Sequence, residues 1–398
     1  MTDFRKRYWY YYRDIELLLK FLVPEDTATS DYIVMVDEVG SLADIGAALE
    51  TARSKLGERG RLVLTFHNYL WEPLFVVFEM LGLKARSRTQ NWLSPRDVGN
   101  LLYLSGFEIV RGGQRMLCPI YIPLVSATLN AIGRLPLINR LCVTHYMVAR
   151  PIVTVPREYS VSIIVPARNE KGNIEELVRR TPHFGTAQEI IFVEGHSRDG
   201  TWEEIERVAA LHSGGKRTIR AARQEGTGKG DAVRKGFALA RNELLMILDA
   251  DMTVAPEDLI RFYDAAERGK ADFINGSRLV YPMEKEAMRF LNTLANKFFA
   301  LLFTWLLGQP IKDTLCGTKV LLKSDYERIA AARAYFGDFD PFGDFDLLFG
   351  AVKQNLKIID LPIRYRERRY GTTQIQRFAH GWLLLKMSFF AARKLKFN

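Results

Sequence analysis

Apolar residues in this chain fall into short, nearly unbroken runs separated by amphipathic stretches. Val161-Ser162-Ile163-Ile164-Val165, Ile190-Ile191-Phe192-Val193 and Leu244-Leu245-Met246-Ile247-Leu248 are such runs. Their length predicts strands buried on both faces of a largely parallel sheet. A further strand-like piece spans Thr218 to Ala222, and the intervening spacing predicts helices from Asn173, from Thr201 and up to Ala240.

The first 110 residues repeat this alternation. Helical spacing over Tyr8–Val23, Leu42–Leu56 and Asp97–Leu104 is interleaved with strand-like runs at 31–36, 61–66 and 107–110. Strands alternating with helices imply a second parallel sheet. The apolar stretch from Ile120 to Leu141 is interrupted by Pro123 and Pro136 and carries only Arg134 and Arg140 as charges. It reads as a membrane-facing helical hairpin or as a connector lying over the core, and the connector is the expectation. Pro151, Pro156 and Arg157-Glu158 read as a linker. The expected divisions are 1–113, a connector at 114–157, a second α/β domain at 158–360, and a basic amphipathic C-terminal region at 361–398.

Chemistry gathers at the predicted strand ends. Asp249 and Asp251 follow the run at 244–248 and share a face, since alternate residues on a strand do. Open α/β sheets bind ligands at the carboxyl ends of their strands. Paired carboxylates repel unless a cation lies between them, so the pair reads as a Mg²⁺ or Mn²⁺ site shared with substrate phosphates or as a solvated turn. The glycine-rich stretch Gly226-Thr227-Gly228-Lys229-Gly230 opens a helix and reads as an anion cradle or as a surface turn.

Composition narrows the partners. The formal net charge is +10, which points to acidic partners. Cys118, Cys142 and Cys316 are scattered, without metal-ligand spacing, and imply a reducing compartment without disulfides. The N-terminus lacks the pattern of a signal peptide, and no apolar stretch reaches the roughly 20 residues of a membrane span. A cytoplasmic protein, peripheral at the inner face of a membrane, is expected.

Two resemblances sharpen this picture. The stretches DYIVMVDEVGSLADI (31–45), LGERGRLVLTFHN (56–68) and LLYLSGFEIV (101–110) resemble part of a class I S-adenosylmethionine-dependent methyltransferase. The family's cofactor half is missing, and no Gly-x-Gly occurs in residues 1–157. A truncated, methyltransferase-like α/β fragment without S-adenosylmethionine is therefore expected.

The stretches VSIIVPARNE (161–170), EIIFVEGHSRDGT (189–201), GTGKGDAVRKGF (226–237) and LMILDADMTV (245–254) together resemble the family 2 glycosyltransferases of GT-A fold, a Rossmann-like mixed sheet with helices on both faces. The resemblance implies a nucleotide-diphosphate-sugar donor. Pro166, Ala167, Arg168, Glu170 and Glu194 would lie near its base and ribose, Gly228, Lys229 and Asp231 would also bind the donor, and Asp249 and Asp251 would hold the metal on its diphosphate. ADFINGSRLV (271–280), IKDTLCGTKVL (311–321), FGDFDLLFGAV (342–352) and LPIRYRERRYGTTQI (361–375) are most similar to the polyprenyl-phosphate sugar transferases of that family. By that likeness Arg278, Arg289 and Arg368 would gather the acceptor phosphate. Asp344 stands where many members place a general base; a phosphate acceptor needs none, whereas a sugar hydroxyl does. The apolar 290–307 segment and the basic-apolar helix at 374–397 would meet an anionic membrane surface; nucleic acid is not expected. The alternatives are transfer to a sugar hydroxyl with Asp344 as base, and a non-catalytic membrane scaffold.

Overall fold

The apolar runs become strands, and the chain divides into two units, residues 1–152 with 395–398 and residues 153–394. The computed structural model describes residues 8–24, 31–82, 90–214, 217–281, 290–335, 343–366, 368, 370 and 377–397.

The first unit contains α1 (Trp9–Leu22), β1 (Tyr32–Val36), α2 (Ile45–Lys55), β2 (Arg61–His67), α3 (Glu72–Met80), α4 (Pro95–Leu104), β3 (Phe107–Arg115), α5 (Val125–Ile132) and β4 (Thr144–Pro151). Its sheet runs β1-β2-β4-β3, with β1 and β2 parallel and β4 antiparallel to both neighbours. Leu62, Leu64 and Phe66 of β2 pack with Leu49, Val98 and Leu102 in one core. Each such side chain contributes about 1.5–3 kcal/mol when fully buried.

Two expectations change here. The division between units falls at 152/153, so most of the stretch expected as a connector belongs to the first unit. Its last part pairs as β4 with both β2 and β3, a strand that the proline-broken pattern concealed. The stretch before it, 120–141, does not lie over the core: its large apolar side chains are mostly exposed.

The second unit follows the expected alternation: β5 (Val161–Ala167), α6 (Ile174–Arg180), β6 (Gln188–Glu194), α7 (Thr201–His212), β7 (Arg217–Arg223), α8 (Lys229–Leu239), β8 (Leu244–Ile247), α9 (Leu259–Glu267), β9 (Phe273–Ser277), α10 (Phe290–Leu307), β10 (Lys319–Leu322), α11 (Lys323–Ala331), α12 (Asp344–Lys353), β11 (Ile358–Pro362) and α13 (Arg377–Leu395). The sheet order is β11-β9-β10-β8-β5-β6-β7, and only β10 is antiparallel to its neighbours. This is the mixed sheet expected of a GT-A fold.

Helices cover both faces. Val161, Ile163 and Val165 of β5 share a core with Ile174, Val208 and Phe262 of α6, α7 and α9. The alternate residue Ile164 meets α8, where a Cβ on Gly236 would lie 2.4 Å from its side chain. Glycine at 236 is what lets the helix approach the strand so closely. Among the described residues, no helix is long and apolar enough to cross a membrane.

Candidate active site

β8 ends at Ile247, and the chain then turns at the carboxyl edge of the parallel strands. Leu248 still donates its N–H to Ile164 O at 3.0 Å, which fixes where the turn starts. Asp251 shapes the turn itself: its Oδ1 accepts from Thr253 N at 3.0 Å and from Thr253 Oγ1 at 2.8 Å. The other oxygen, Oδ2, faces Arg368 Nη2 at 2.7 Å. Asp251 is thus both a turn-former and a carboxylate turned onto a cation.

Asp249 Oδ1 lies 2.5 Å from Lys229 Nζ. Lys229 is the first residue of α8, preceded by Gly228 at φ 88°. Burial works against both charges, but their mutual attraction prevails, lowering the Asp249 pKa and raising that of Lys229. Gly317 makes this contact possible. A Cβ there would lie 2.1 Å from Lys229 Nζ and 2.2 Å from Asp249 Oδ2. Any side chain at 317 would have to displace one of these two groups.

Arg366 N donates to Thr253 O at 2.9 Å, pinning the segment after β11 against the turn, close to where Arg368 enters the site. The Arg368 guanidinium also lies 3.3 Å from Glu170 Oε1. Burial raises the Glu170 pKa to about 7, against the opposing pull of Arg368 and Asn173. Glu170 Oε2 accepts from Asn173 Nδ2 at 2.7 Å, and Glu170 N donates to Thr201 Oγ1.

The other residues expected near a nucleotide line the ends of β5 and β6. Pro166 and Ala167 close β5, with Gly195 N donating to Ala167 O, and Arg168 is exposed just beyond. Glu194 Oε1 accepts from Ser197 N at 2.5 Å and so folds the next turn. Asp199 supports the start of α7, its Oδ1 accepting from Thr201 N at 3.1 Å. Asp231 Oδ2 accepts from Gly226 N at 3.1 Å, making it a brace for the glycine-rich loop. Gln224, which sequence reasoning missed, supports the same loop through Nε2 to Gly228 O at 2.7 Å.

Two expected residues are held by partners that sequence did not reveal. Asp344 opens α12 and pairs through Oδ1 with Lys319 Nζ at 2.8 Å; Lys319 is completely buried. The one sequence signal for Lys319 is a lysine at the head of an apolar run. Arg278 turns its fork onto Asp313, with Nε to Oδ2 at 2.7 Å and Nη2 to Oδ1 at 2.9 Å. That pairing lowers the Asp313 pKa against the effect of burial. Arg289 lies outside the described residues.

Glu170, Lys229, Asp249, Asp251 and Arg368 therefore converge from four stretches of chain. Among the described residues, no group of three His, Cys, Asp or Glu is placed to hold a metal ion. Asp249 and Asp251 are two hard oxygen donors, a set that suits a divalent cation completed by substrate phosphates.

Residues 162–329 match the family model described as Glycosyl transferase family 2. Over 221 residues the chain is 27% identical to a dolichol-phosphate mannosyltransferase of Pyrococcus furiosus, covering 54% of this chain and 59% of that protein. Over 224 residues it is 28% identical to a polyprenol monophosphomannose synthase of Mycolicibacterium smegmatis, covering 54% of this chain and 80% of that protein. The chain thus spans less than two thirds of the length of the first relative. Among solved structures, a glucosyl-3-phosphoglycerate synthase from Mycobacterium tuberculosis aligns with a TM-score of 0.43 at 16% identity, over 60% of this chain and 80% of that one.

Proposed function

The second unit of this chain carries a family 2 glycosyltransferase domain, and from that premise we propose that the protein moves a sugar from a nucleotide-diphosphate sugar to a polyprenyl phosphate. The observation that carries this reading is the convergence of Asp249, Asp251, Lys229 and Arg368 at the carboxyl end of β8. The relatives' names, with dolichol phosphate and polyprenol among them, support the acceptor class.

In this reading Asp249 and Asp251 hold a Mg²⁺ or Mn²⁺ ion. When bound, that ion supplies positive charge against the leaving diphosphate. Lys229, at the N-terminus of α8, adds its own cation and the helix dipole on the same side. The Glu194 turn and Pro166–Arg168 border the nucleoside. Arg368 presents a planar fork that matches phosphate oxygens and stays charged when partly buried. A phosphate oxygen then attacks the anomeric carbon from the face opposite the leaving group. The bond from that carbon to the diphosphate breaks, and configuration inverts. The acceptor is already an anion, so no base is needed. Asp344, tied to Lys319, acts by holding that lysine beside the Asp249 pair.

Residues 1–152 serve as a scaffold in this reading, a methyltransferase-like fragment without methyl transfer. No glycine-rich turn follows either of the parallel strands β1 and β2.

The test is incubation with labelled nucleotide sugars and a polyprenyl phosphate in the presence of Mg²⁺ or Mn²⁺. Label entering the organic phase, and lost in Asp251→Ala, is the expected result. Label that stays in water-soluble product refutes the lipid-phosphate acceptor.

A further inference from the structure

Helix α5 in the first unit is turned inside out. Its inward side carries Ser126 and Asn130. Ser126 is fully buried; its Oγ donates to Ile120 O at 2.6 Å and accepts from Ile122 N at 2.7 Å. Asn130 Oδ1 accepts from Leu117 N and Cys118 N, both at 2.8 Å. The outward side carries Val125, Leu129 and Ile132, all exposed. A surface helix of a water-soluble protein shows the opposite arrangement.

Two leucines extend that outward face. Leu124 and Leu137 occupy matching contexts, Ile122-Pro123-Leu124-Val125 and Leu135-Pro136-Leu137-Ile138, each just before a helical turn. Both have positive φ, 64° and 74°, with ψ of −39° and −50°, the geometry of a tight turn; at Leu124, Val125 N closes that turn on Pro123 O at 2.8 Å. Their side chains are 87% and 73% exposed. A branched apolar residue in that conformation is strained, yet here the strain holds two leucines out in water.

The patch is broader than one helix. No residue of α3 is buried, and Leu74, Val77 and Met80 are exposed. Trp71 Nε1 donates to Leu141 O and Asn68 Nδ2 to Arg140 O, both at 2.8 Å, so α3 adjoins the end of the 120–141 stretch. Tyr121 packs against Trp9, ring centroids 5.4 Å apart, and both rings are exposed. Amphipathic rings of this kind favour the headgroup level of a bilayer.

Charge decides between candidate occupants. Residues 109–157 contain six arginines, no lysine and no Asp or Glu. Arg111, Arg115 and Arg150 are buried, and Arg115, Arg150 and Arg157 pair with Asp14, Glu108 and Glu243, so the charge this surface presents is that of Arg134 and Arg140, which lie within the apolar stretch itself. A second copy meeting this face symmetrically would bring like charges together. An anionic lipid surface would neutralise them. We propose that residues 69–81 and 120–141 form a monotopic membrane-binding surface, with Leu124 and Leu137 inserted among the acyl chains of an anionic leaflet. This assigns the membrane contact to the first unit, and it does not depend on the identity of the sugar or of the acceptor.

The test is co-sedimentation of the full chain with vesicles of phosphatidylcholine alone and of phosphatidylcholine mixed with phosphatidylglycerol, both free of polyprenyl phosphate. Binding to the anionic vesicles is expected, weakened at least about tenfold in Leu124→Glu/Leu137→Glu and retained in Phe389→Glu on α13. Leu124→Ser/Leu137→Ser, a milder pair, covers the case in which the double glutamate variant does not fold. Hydrogen exchange on the unaltered chain gives an independent readout: vesicles are expected to slow exchange across 120–141. Slowing confined to α13, or binding lost in Phe389→Glu and kept in the leucine variants, overturns the proposal. So does absence of vesicle binding together with a dimer in sedimentation velocity that the leucine variants dissolve.

Discussion

Arg368 Nη2 lies 2.7 Å from Asp251 Oδ2, joining residues 117 positions apart at the carboxyl end of β8. An acceptor-binding arginine thereby touches a metal-binding carboxylate, in the proposed roles. Replacing it tests both. Arg368→Ala is expected to raise the acceptor KM by about tenfold or more, and Arg368→Lys to restore little, because a point charge does not reproduce a planar fork. Steady-state kinetics with acceptor varied at saturating donor checks this; a change in donor KM alone would place Arg368 elsewhere.

Metal removal gives a second expectation. Chelation is expected to abolish transfer, and Mg²⁺ or Mn²⁺ to restore it. Asp251→Asn keeps the shape of the side chain and its acceptor for Thr253, and is expected to lower kcat by about 10²–10³. Full activity in chelator would remove the metal from the proposal.

Gly317→Ala is the most selective probe of the site. A Cβ would fall 2.1 Å from Lys229 Nζ and 2.2 Å from Asp249 Oδ2, so one of those groups must move. The sheet itself is not touched. A loss of activity of about a hundredfold is expected, with a melting temperature within a few degrees of the parent.

Arg278 answers a stability question. Asp313 is buried and accepts both arms of its fork. Arg278→Ala strands that carboxylate, and a loss of about 3–5 kcal/mol is expected in urea unfolding. Arg278→Ala/Asp313→Ala is expected to recover part of it, since no buried charge then remains. A single variant as stable as the parent would free Arg278 for a direct role at the acceptor.

His145 predicts acid sensitivity in the first unit. It is buried, stacks on Phe66 at 5.3 Å, and burial pushes its pKa down to about 4. The unfolded chain takes up a proton near pH 6.5, the folded chain not until about pH 4. Stability therefore falls as pH drops through that window, by roughly 3 kcal/mol in all. His145→Phe is expected to flatten the dependence in thermal melts between pH 7 and pH 4.

The strands and the acidic pair at the end of β8 were legible because they rest on local pattern. β5, β6 and β8 are continuous apolar runs, and Asp249 and Asp251 follow directly. What escaped depends on partners distant in sequence. Asp344 reads as a base and Arg278 as a phosphate ligand, and nothing near them in sequence shows that Lys319 pairs with the one and Asp313 with the other. Residues 120–141 stayed open between two readings for another reason. Apolar composition suits a connector over the core and a membrane-facing hairpin alike, and only the structure shows Ser126 and Asn130 facing in and the leucines facing out.

The reversed direction of β10 has a further consequence. β9 ends at Ser277 and β10 begins at Lys319, and its antiparallel course brings the chain back to the sheet at the end it had left. Everything between is a closed excursion, both feet planted beside the reacting groups. Its two ends are held in place, one by the pairing of Arg278 with Asp313 and the other by the close fit of Gly317 against Lys229 and Asp249. A lengthened or shortened excursion therefore keeps its register on the sheet only while those ends are kept.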